Sequence, residues 1–304
     1  MKTLFIVNPK SGGGEPAKRW PEIRDLFRAE NWTFEVVFTE GRGHGTAIAL
    51  AGLKEGAELL VTVGGDGLIH EVVNGMFSEG KALNPNASLG IIPCGTGNDL
   101  GRALGLPGKT LAAARHLALS RQSRLTDLGE AVCSGGGRTT QRLFVNDADL
   151  GLAAEVVEHV TRTGKFSRGT APYFVGILRT ALRYRNQPMT LQADGRSCEG
   201  KMTTILVCNG QSTGGGMRVA PDAILDDGLF DVVVAGDLRP WEIIWHAPKI
   251  YCGTHVRIRK VSVQRARTVT VTSPRRLPVA ADGELIGEGP VSFRVLPAAL
   301  RVRV

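Results

Sequence analysis

Short apolar runs alternate with amphipathic stretches through residues 1–128. Thr3–Val7 is a continuous apolar run and predicts a buried strand. From Pro16 to Glu30, Trp20, Ile23, Leu26 and Phe27 recur at helical spacing. Trp32–Phe38 alternates as a second strand ending at Thr39. Gly43-His-Gly45 then leads into a helix carrying Ile48, Ala51 and Leu53. Leu59, Leu60, Val61 and Val63 form the apolar run of a parallel strand, and Ile69, Val72, Val73 and Met76 line one face of the helix after it. A fourth strand, Ser88–Ile92, precedes helices holding Leu100, Ala103 and Leu104, then Leu111, Ala114, Leu117 and Leu119. Arg124–Asp127 closes the series as a strand. Such alternation predicts an α/β domain, an open parallel sheet with helices on both faces.

The pattern changes after Gly129. Ser134-Gly-Gly-Gly137 reads as a hairpin tip, Leu143–Asn146 as a strand and Gly151–Thr161 as a helix. Lys165–Gly169 has the composition of a mobile segment. Ala171–Tyr184 predicts a helix with Phe174, Ile177, Leu178, Ala181 and Leu182 apolar and Arg179, Arg183 and Arg185 basic; it suits a core helix with a solvated edge or a membrane-facing one. β-Branched runs then dominate, at Thr203–Val207, Phe230–Val234, Val256–Val263 and Thr268–Val271, with one helix over Trp241–Ile250. This is an antiparallel β domain. The expected division is 1–128 and 129–290, with two final strands, Val291–Val295 and Leu300–Val304, returning to the first domain.

Apolar content of 42% and charged content of 22% are those of a soluble globular chain, and no apolar stretch is long enough to span a bilayer. Thr3–Val7 is too short for a signal peptide, and five scattered cysteines without metal spacing suit reduced thiols in a cytoplasmic protein. The net charge of +8 is lopsided: residues 251–304 hold ten Lys/Arg against three Asp/Glu, leaving 27 against 26 in the remainder. A basic C-terminal part suits either an anionic membrane surface, met peripherally at its inner face, or a solvated sheet. Aromatic residues, 6% of the chain, do not interleave with the basic ones, so no nucleic acid is expected. A homodimer is compatible with the composition.

Chemistry concentrates at the turns. Gly64-Gly-Asp-Gly67 ends one strand and opens a helix, where bare main chain and helix N–H groups suit a phosphate. The carboxylate of Asp66 would repel that phosphate unless it holds a cation or a proton, which points to a nucleotide–magnesium site. Asn8-Pro-Lys-Ser-Gly-Gly-Gly14 is a second glycine loop between strand and helix, without the Gly-Lys-Ser/Thr of a P-loop. Pro93-Cys-Gly-Thr-Gly-Asn-Asp99 is a third; Asn98 there would also serve as a helix cap. Asn8, Thr39, Asp66, Thr96 and Asp127 all fall at predicted strand C-termini, the rim where such sheets bind ligands. Further on, Asp222, Asp226, Asp227 and Asp231 cluster around turns that suit either a hard cation or ordinary Asp-Gly geometry. Asp282-Gly-Glu284 reads as a hairpin turn, with Glu284 exposed or directed into a cleft as a base.

Together these motifs resemble the soluble diacylglycerol kinase and sphingosine kinase family of lipid kinases. Asn8–Gly12, Gly64–Gly67, Pro93–Asp99, Asp127-Leu-Gly129, Ala220–Leu229 and Asp282-Gly-Glu284 carry the resemblance. Gly-Gly-Asp-Gly alone is shared with NAD kinases and related phosphofructokinases; the third turn and Asp226-Asp-Gly-Leu229 are more specific. The resemblance implies an NAD kinase/phosphofructokinase-like nucleotide domain, a C-terminal β-sandwich, and catalysis in the cleft between them. It implies ATP held by Asn8, Pro9, Lys10, Ser11, Gly12, Thr39, Gly64, Gly65, Asp66, Gly67, Leu68, Ile69, His70, Glu71, Thr96 and Asn98. It implies Mg2+ on Asp66, Asp99 and Asp127, a second, structural magnesium at Asp227 with the carbonyls of Ile224 and Leu229, and Asp282 or Glu284 as general base. The chain departs from the common bacterial pattern at Leu68 and His70, which look like the sphingosine-kinase-like branch. The Leu removes a hydroxyl near the phosphates. At a helix start His70 should stay neutral, either as a donor to a ligand or as an idle surface residue.

The expected reaction is attack of a lipid hydroxyl, of diacylglycerol or a similar alcohol, on the γ-phosphate of ATP while a carboxylate takes the proton. The alternatives are a kinase for sphingoid bases or other lipids, an NAD kinase-like enzyme, and a lipid-binding regulator without turnover.

Overall fold

The computed structural model describes residues 1–163 and 180–304; Lys165–Gly169 and most of the helix expected over 171–184 lie outside the described residues. The chain divides into two compact units, residues 1–128 with 296–304, and residues 129–295.

The first unit follows the alternation of its sequence. Its elements are β1 (Thr3–Val7), α1 (Glu15–Ala29), β2 (Phe34–Phe38), α2 (His44–Lys54), β3 (Leu59–Gly64), α3 (Asp66–Met76), a small hairpin of β4 (Phe77–Ser78) and β5 (Lys81–Ala82), β6 (Ser88–Pro93), α4 (Asp99–Ala103) and α5 (Thr110–Leu119). The sheet order is β6-β3-β1-β2, all parallel. Residues 296–303 add a further parallel strand beside β6, with Val302 opposite Leu89. Phe5, Val7, Leu59, Val61 and Val63 point to one face, which α1 and α5 cover through Trp20, Ile23, Phe27, Ala114 and Leu117. The opposite face takes α2, where Gly52 lies against Leu4 and Leu60. Phe5 anchors the first face by edge contacts with Trp20 at 5.4 Å and Phe27 at 4.9 Å, each contributing about 0.5–1.5 kcal/mol beyond its buried area.

The second unit is a sandwich. β7 (Ser123–Cys133) runs into it from the first unit and pairs with β8 (Thr140–Phe144) around the predicted hairpin tip. There follow β9 (Asp147–Gly151), α6 (Leu152–Thr163), β10 (Gln187–Ala193), β11 (Arg196–Met202), β12 (Thr204–Cys208), β13 (Phe230–Ala235), α7 (Pro240–Tyr251), β14 (Val261–Ala266), β15 (Thr268–Thr272), β16 (Pro278–Ala281), β17 (Glu284–Glu288) and β18 (Val291–Arg303). One sheet holds β11-β10-β15-β18; the other runs β14-β13-β12-β9-β16-β17. Alternate residues of both, among them Leu191, Val271, Phe293, Leu150, Val207 and Val232, form the core between them. Phe144 stacks on Phe230 at 5.6 Å, and Gly129 lies against its ring with no room for a Cβ.

Three sequence expectations are corrected. The strand expected over Val256–Val263 begins only at Val261. A 3-10 turn, Thr254–Arg257, precedes it because Gly253, at φ 69°, turns the chain and buries His255, whose Nε2 lies 3.0 Å from Val219 O. The two final strands are one, β18, which passes through Pro297 and a left-handed Ala298 at φ 50° without ending. Asp127 lies inside β7, not at a strand end, because β7 continues to Cys133.

Candidate active site

Three glycine turns of the first unit meet at the carboxyl ends of β1, β3 and β6. Asn8 folds the first as an Asx turn: its Oδ1 accepts the Lys10 N–H at 3.0 Å and its carbonyl accepts the Ser11 N–H at 3.2 Å. Ser11 Oγ donates to Cys94 O at 3.1 Å, tying this loop to the third turn. Gly12, at φ 52°, stands where a Cβ would come within 2.5 Å of the same Cys94 oxygen. Gly95 lies against Gly65, and a Cβ on it would stand 2.5 Å from Gly65 Cα. The result is a patch of bare main chain built from three distant segments. Pro9 is half-buried, while Lys10 and Thr96 are exposed at its border and Thr39 is buried behind β2.

Asp66 opens α3 and holds the third turn, its Oδ1 accepting the Asp99 N–H at 2.9 Å. Asp99 is itself held by Arg102 at 2.6 Å, and the same guanidinium donates to Gly97 O at 3.0 Å. Gly97 separates the two acids. A Cβ there would lie 2.5 Å from Asp66 Oδ2 and 3.2 Å from Asp99 Oδ2, so both carboxylates converge on one point. Magnesium commonly uses one or two carboxylates and completes its shell with water and phosphate, which this pair fits. No group of three or more His, Cys, Asp or Glu side chains among the described residues forms a ready-made cage. Asp127, buried in β7, accepts the Ala298 N–H at 2.7 Å and so supports the bend of β18.

Other expected ligand residues have structural duties. Asn98 does not cap α4. It sits in the left-handed region at φ 53°, and its amide bonds both the N–H and the carbonyl of Gly95, stapling the turn. Glu71 accepts the N–H groups of Gly43 at 2.7 Å and Gly45 at 2.8 Å, capping the start of α2. Leu68 and Ile69 are buried and direct their N–H groups to Gly65 O. Leu68 packs on Gly64 and Gly45, which accounts for an apolar residue in that place. His70 is buried beside Asn74, not on the surface.

In the second unit, Asp282 and Gly283 form the two-residue β16–β17 turn with φ 48° and 77°, the geometry of a type I′ hairpin. The Asp282 carboxylate folds back onto main chain, accepting from Asn146 N at 2.8 Å, Val145 N at 3.0 Å and Asp147 N at 3.4 Å. Glu284, half-buried, begins β17 directly beyond the turn. The pattern reading passed over Asp147 and Asp149, both buried in β9. Burial, then the charges of Asp149 and Asp282, push the Asp147 carboxyl well above the usual carboxylate range. Burial and the charge of Asp282 push Asp149 up to about 7. The available signal was two acids alternating with apolar residues inside a strand, a pattern that places them on one buried face.

At the expected structural magnesium, Asp227 is paired with Arg265, yet its buried Oδ2 has no hydrogen-bond partner among the described residues, so the turn leaves a place for a cation. The Arg265 guanidinium lies on Asp227 Oδ2 and 3.9 Å from Asp231, while Asp227 Oδ1 accepts the Leu229 N–H at 3.1 Å. The Ile224 side chain is exposed. Arg265 adds positive charge beside this acidic turn.

A parallel sheet with glycine turns and converging carboxylates at its strand ends, followed by an antiparallel sandwich, is the NAD kinase-like fold class. Two family models match in succession: the diacylglycerol kinase catalytic domain over residues 2–131, and the YegS C-terminal NAD kinase β-sandwich-like domain over residues 147–304. Diacylglycerol kinase of Mycobacterium tuberculosis strain H37Rv is 30% identical over 304 residues, 99% of this chain and 94% of the relative. That of Staphylococcus carnosus is 29% identical over 303 residues, again 99% and 94%. A crystal structure of a Bacillus anthracis diacylglycerol kinase shares the fold, with a TM-score of 0.77 at 24% identity over 99% of this chain and 96% of that one. The chain belongs to the diacylglycerol kinase family and is a lipid kinase, a phosphotransferase of a family that uses ATP.

Proposed function

We propose that this lipid kinase transfers the γ-phosphate of ATP to the hydroxyl of diacylglycerol. The mutual packing of the Gly12, Gly65 and Gly95 turns around Asp66 carries the reading, because it removes side chains from three strand ends at once. The turns bind the triphosphate through main chain, Ser11 fixes the first loop against the third, and Lys10 and Thr96 border the site. Asp66, with Asp99 beside it, would hold magnesium, which when bound offsets the charge of the phosphate oxygens. Arg102 keeps Asp99 in place.

Glu284 takes the proton of the attacking hydroxyl. Asp282 is the weaker candidate because three main-chain N–H groups already occupy its carboxylate, leaving it to position the β16–β17 turn. The test incubates the purified protein with radiolabelled ATP, magnesium and one acceptor at a time: diacylglycerol, a sphingoid base or NAD. Labelled phosphatidic acid is expected, with Glu284→Gln lowering kcat by about 100-fold or more at unchanged thermal stability. Label transferred only to NAD, or to no acceptor, would refute the proposal. Near-normal turnover by Glu284→Gln would move the base to Asp282.

A further inference from the structure

Helix α7 is apolar on two opposite faces. Ile243 turns inward against the cluster of Leu152, Val156 and Tyr184, and Ile250 against that of Leu206, Val219 and Val233. Opposite them, Trp241, Ile244, Trp245, Pro248 and Tyr251 form a stripe at i, i+3, i+4, i+7 and i+10. Trp241 is 61% exposed and Trp245 73%, and with Ile244 and Pro248 they line one shallow apolar groove. Solvent normally meets the polar face of a surface helix, whereas here it meets two tryptophans.

Charge identifies the occupant. Residues 239–260 hold five basic side chains, Arg239, Lys249, Arg257, Arg259 and Lys260, against one acid, Glu242. That acid is neutralised by Lys260 at 2.7 Å, leaving the segment cationic. Indole rings flanked by basic residues on a short helix match the boundary between headgroups and acyl chains of an anionic bilayer. A second copy of this chain would bring the same positive charges together, which disfavours it as the partner.

We infer that α7 is the membrane-docking surface of this enzyme, seating Trp241 and Trp245 in the headgroup region of an anionic phospholipid bilayer while its basic flanks meet the phosphates. The inference builds on the proposed lipid acceptor, but vesicle binding is read without ATP or turnover. The experiment sediments the full chain with vesicles of phosphatidylcholine alone, and of phosphatidylcholine and phosphatidylglycerol in equal parts, and compares it with the Trp241→Ser/Trp245→Ser double variant. The chain is expected to bind the anionic vesicles, more weakly as salt rises, and the double variant on the order of tenfold or more less tightly at the same melting temperature. Brominated lipids should quench the fluorescence of the parent but not the residual fluorescence of the variant, since Trp20 is buried and Trp32 packs on the core of the first unit. Turnover on vesicle-borne diacylglycerol should fall with binding, while turnover on a dispersed short-chain diacylglycerol persists. Equal vesicle affinity of parent and double variant would overturn the inference and leave the kinase reading intact. A parent dimer that the double substitution turns into monomers, with vesicle binding unchanged, would assign the stripe to a second copy and overturn it equally. Vesicle binding lost in the double variant, with no lipid phosphorylated by the parent, would support α7 as the docking face while sinking the proposed reaction.

Discussion

Asp149→Asn should stabilise the protein at neutral and alkaline pH. Asp149 is 5% exposed, and burial holds its carboxyl at about 7 against 3.8 in an open chain. The folded-state value is raised, so the folded form binds the proton more tightly than the unfolded form. Below about pH 4 both forms are protonated and the side chain is neutral to stability; from there to about pH 7 stability is lost as pH rises. Each pH unit of that window is worth about 1.4 kcal/mol, so the full loss above pH 7 is on the order of a few kcal/mol. Between pH 5.5 and 8 the loss is about 2 kcal/mol. The carboxamide keeps the shape and cannot ionise, which removes the part of the dependence that Asp149 carries and leaves that of its neighbour Asp147. Urea unfolding of parent and variant across that range measures it, with the variant expected to gain about 2–4 kcal/mol at pH 8, or on the order of 5–10 °C in melting temperature. A variant no more stable than the parent at pH 8, with an unchanged slope of stability against pH, would refute the assignment of a strongly raised carboxyl to Asp149.

Three further outcomes follow from the packing. Gly95→Ala places a methyl 2.5 Å from Gly65 Cα, so ATP binding measured by calorimetry should weaken by on the order of tenfold or more while the fold persists. Gly129→Ala drives a methyl into the fully buried Phe144 ring and should cost about 2–4 kcal/mol in chemical denaturation, with ATP affinity unaffected in the folded fraction. Arg265→Gln removes the guanidinium from Asp227 and Asp231; melting scans should show the variant gaining more stability from added magnesium than the parent does.

The local rules read well where one segment decides its own structure. The runs at Thr3–Val7 and Leu59–Gly64 are strands with every residue buried, and Asp282-Gly283 adopts the hairpin turn its dipeptide calls for. The phosphate-type turns were legible for the same reason, because glycine is informative without knowledge of its neighbours. The errors arise where a distant partner decides. The strand is expected to end at Asp127, yet Gly129 leaves the space that Phe144 fills and β7 continues past it. The capping role of Glu71 is invisible until Gly43 and Gly45, 28 and 26 residues away, arrive to be capped. Two strands are expected over Val291–Val295 and Leu300–Val304, but the Asp127 carboxylate satisfies the Ala298 N–H between them and the strand goes on. The Asp227–Arg265 pair likewise forms only when β14 brings Arg265 alongside β13.

Residues 296–304 belong to the unit that residues 1–128 begin. Val302 pairs beside Leu89, Arg303 donates to Ser120 O at 2.9 Å, and its guanidinium lies 4.9 Å from the Trp32 ring. During synthesis this unit is therefore begun before the sandwich and finished after it. It must wait with one flank of its sheet open while the sandwich is translated, roughly 10–30 s at ordinary elongation rates. Clipping those few residues should therefore injure the oldest part of the nascent chain, leaving the younger part able to fold.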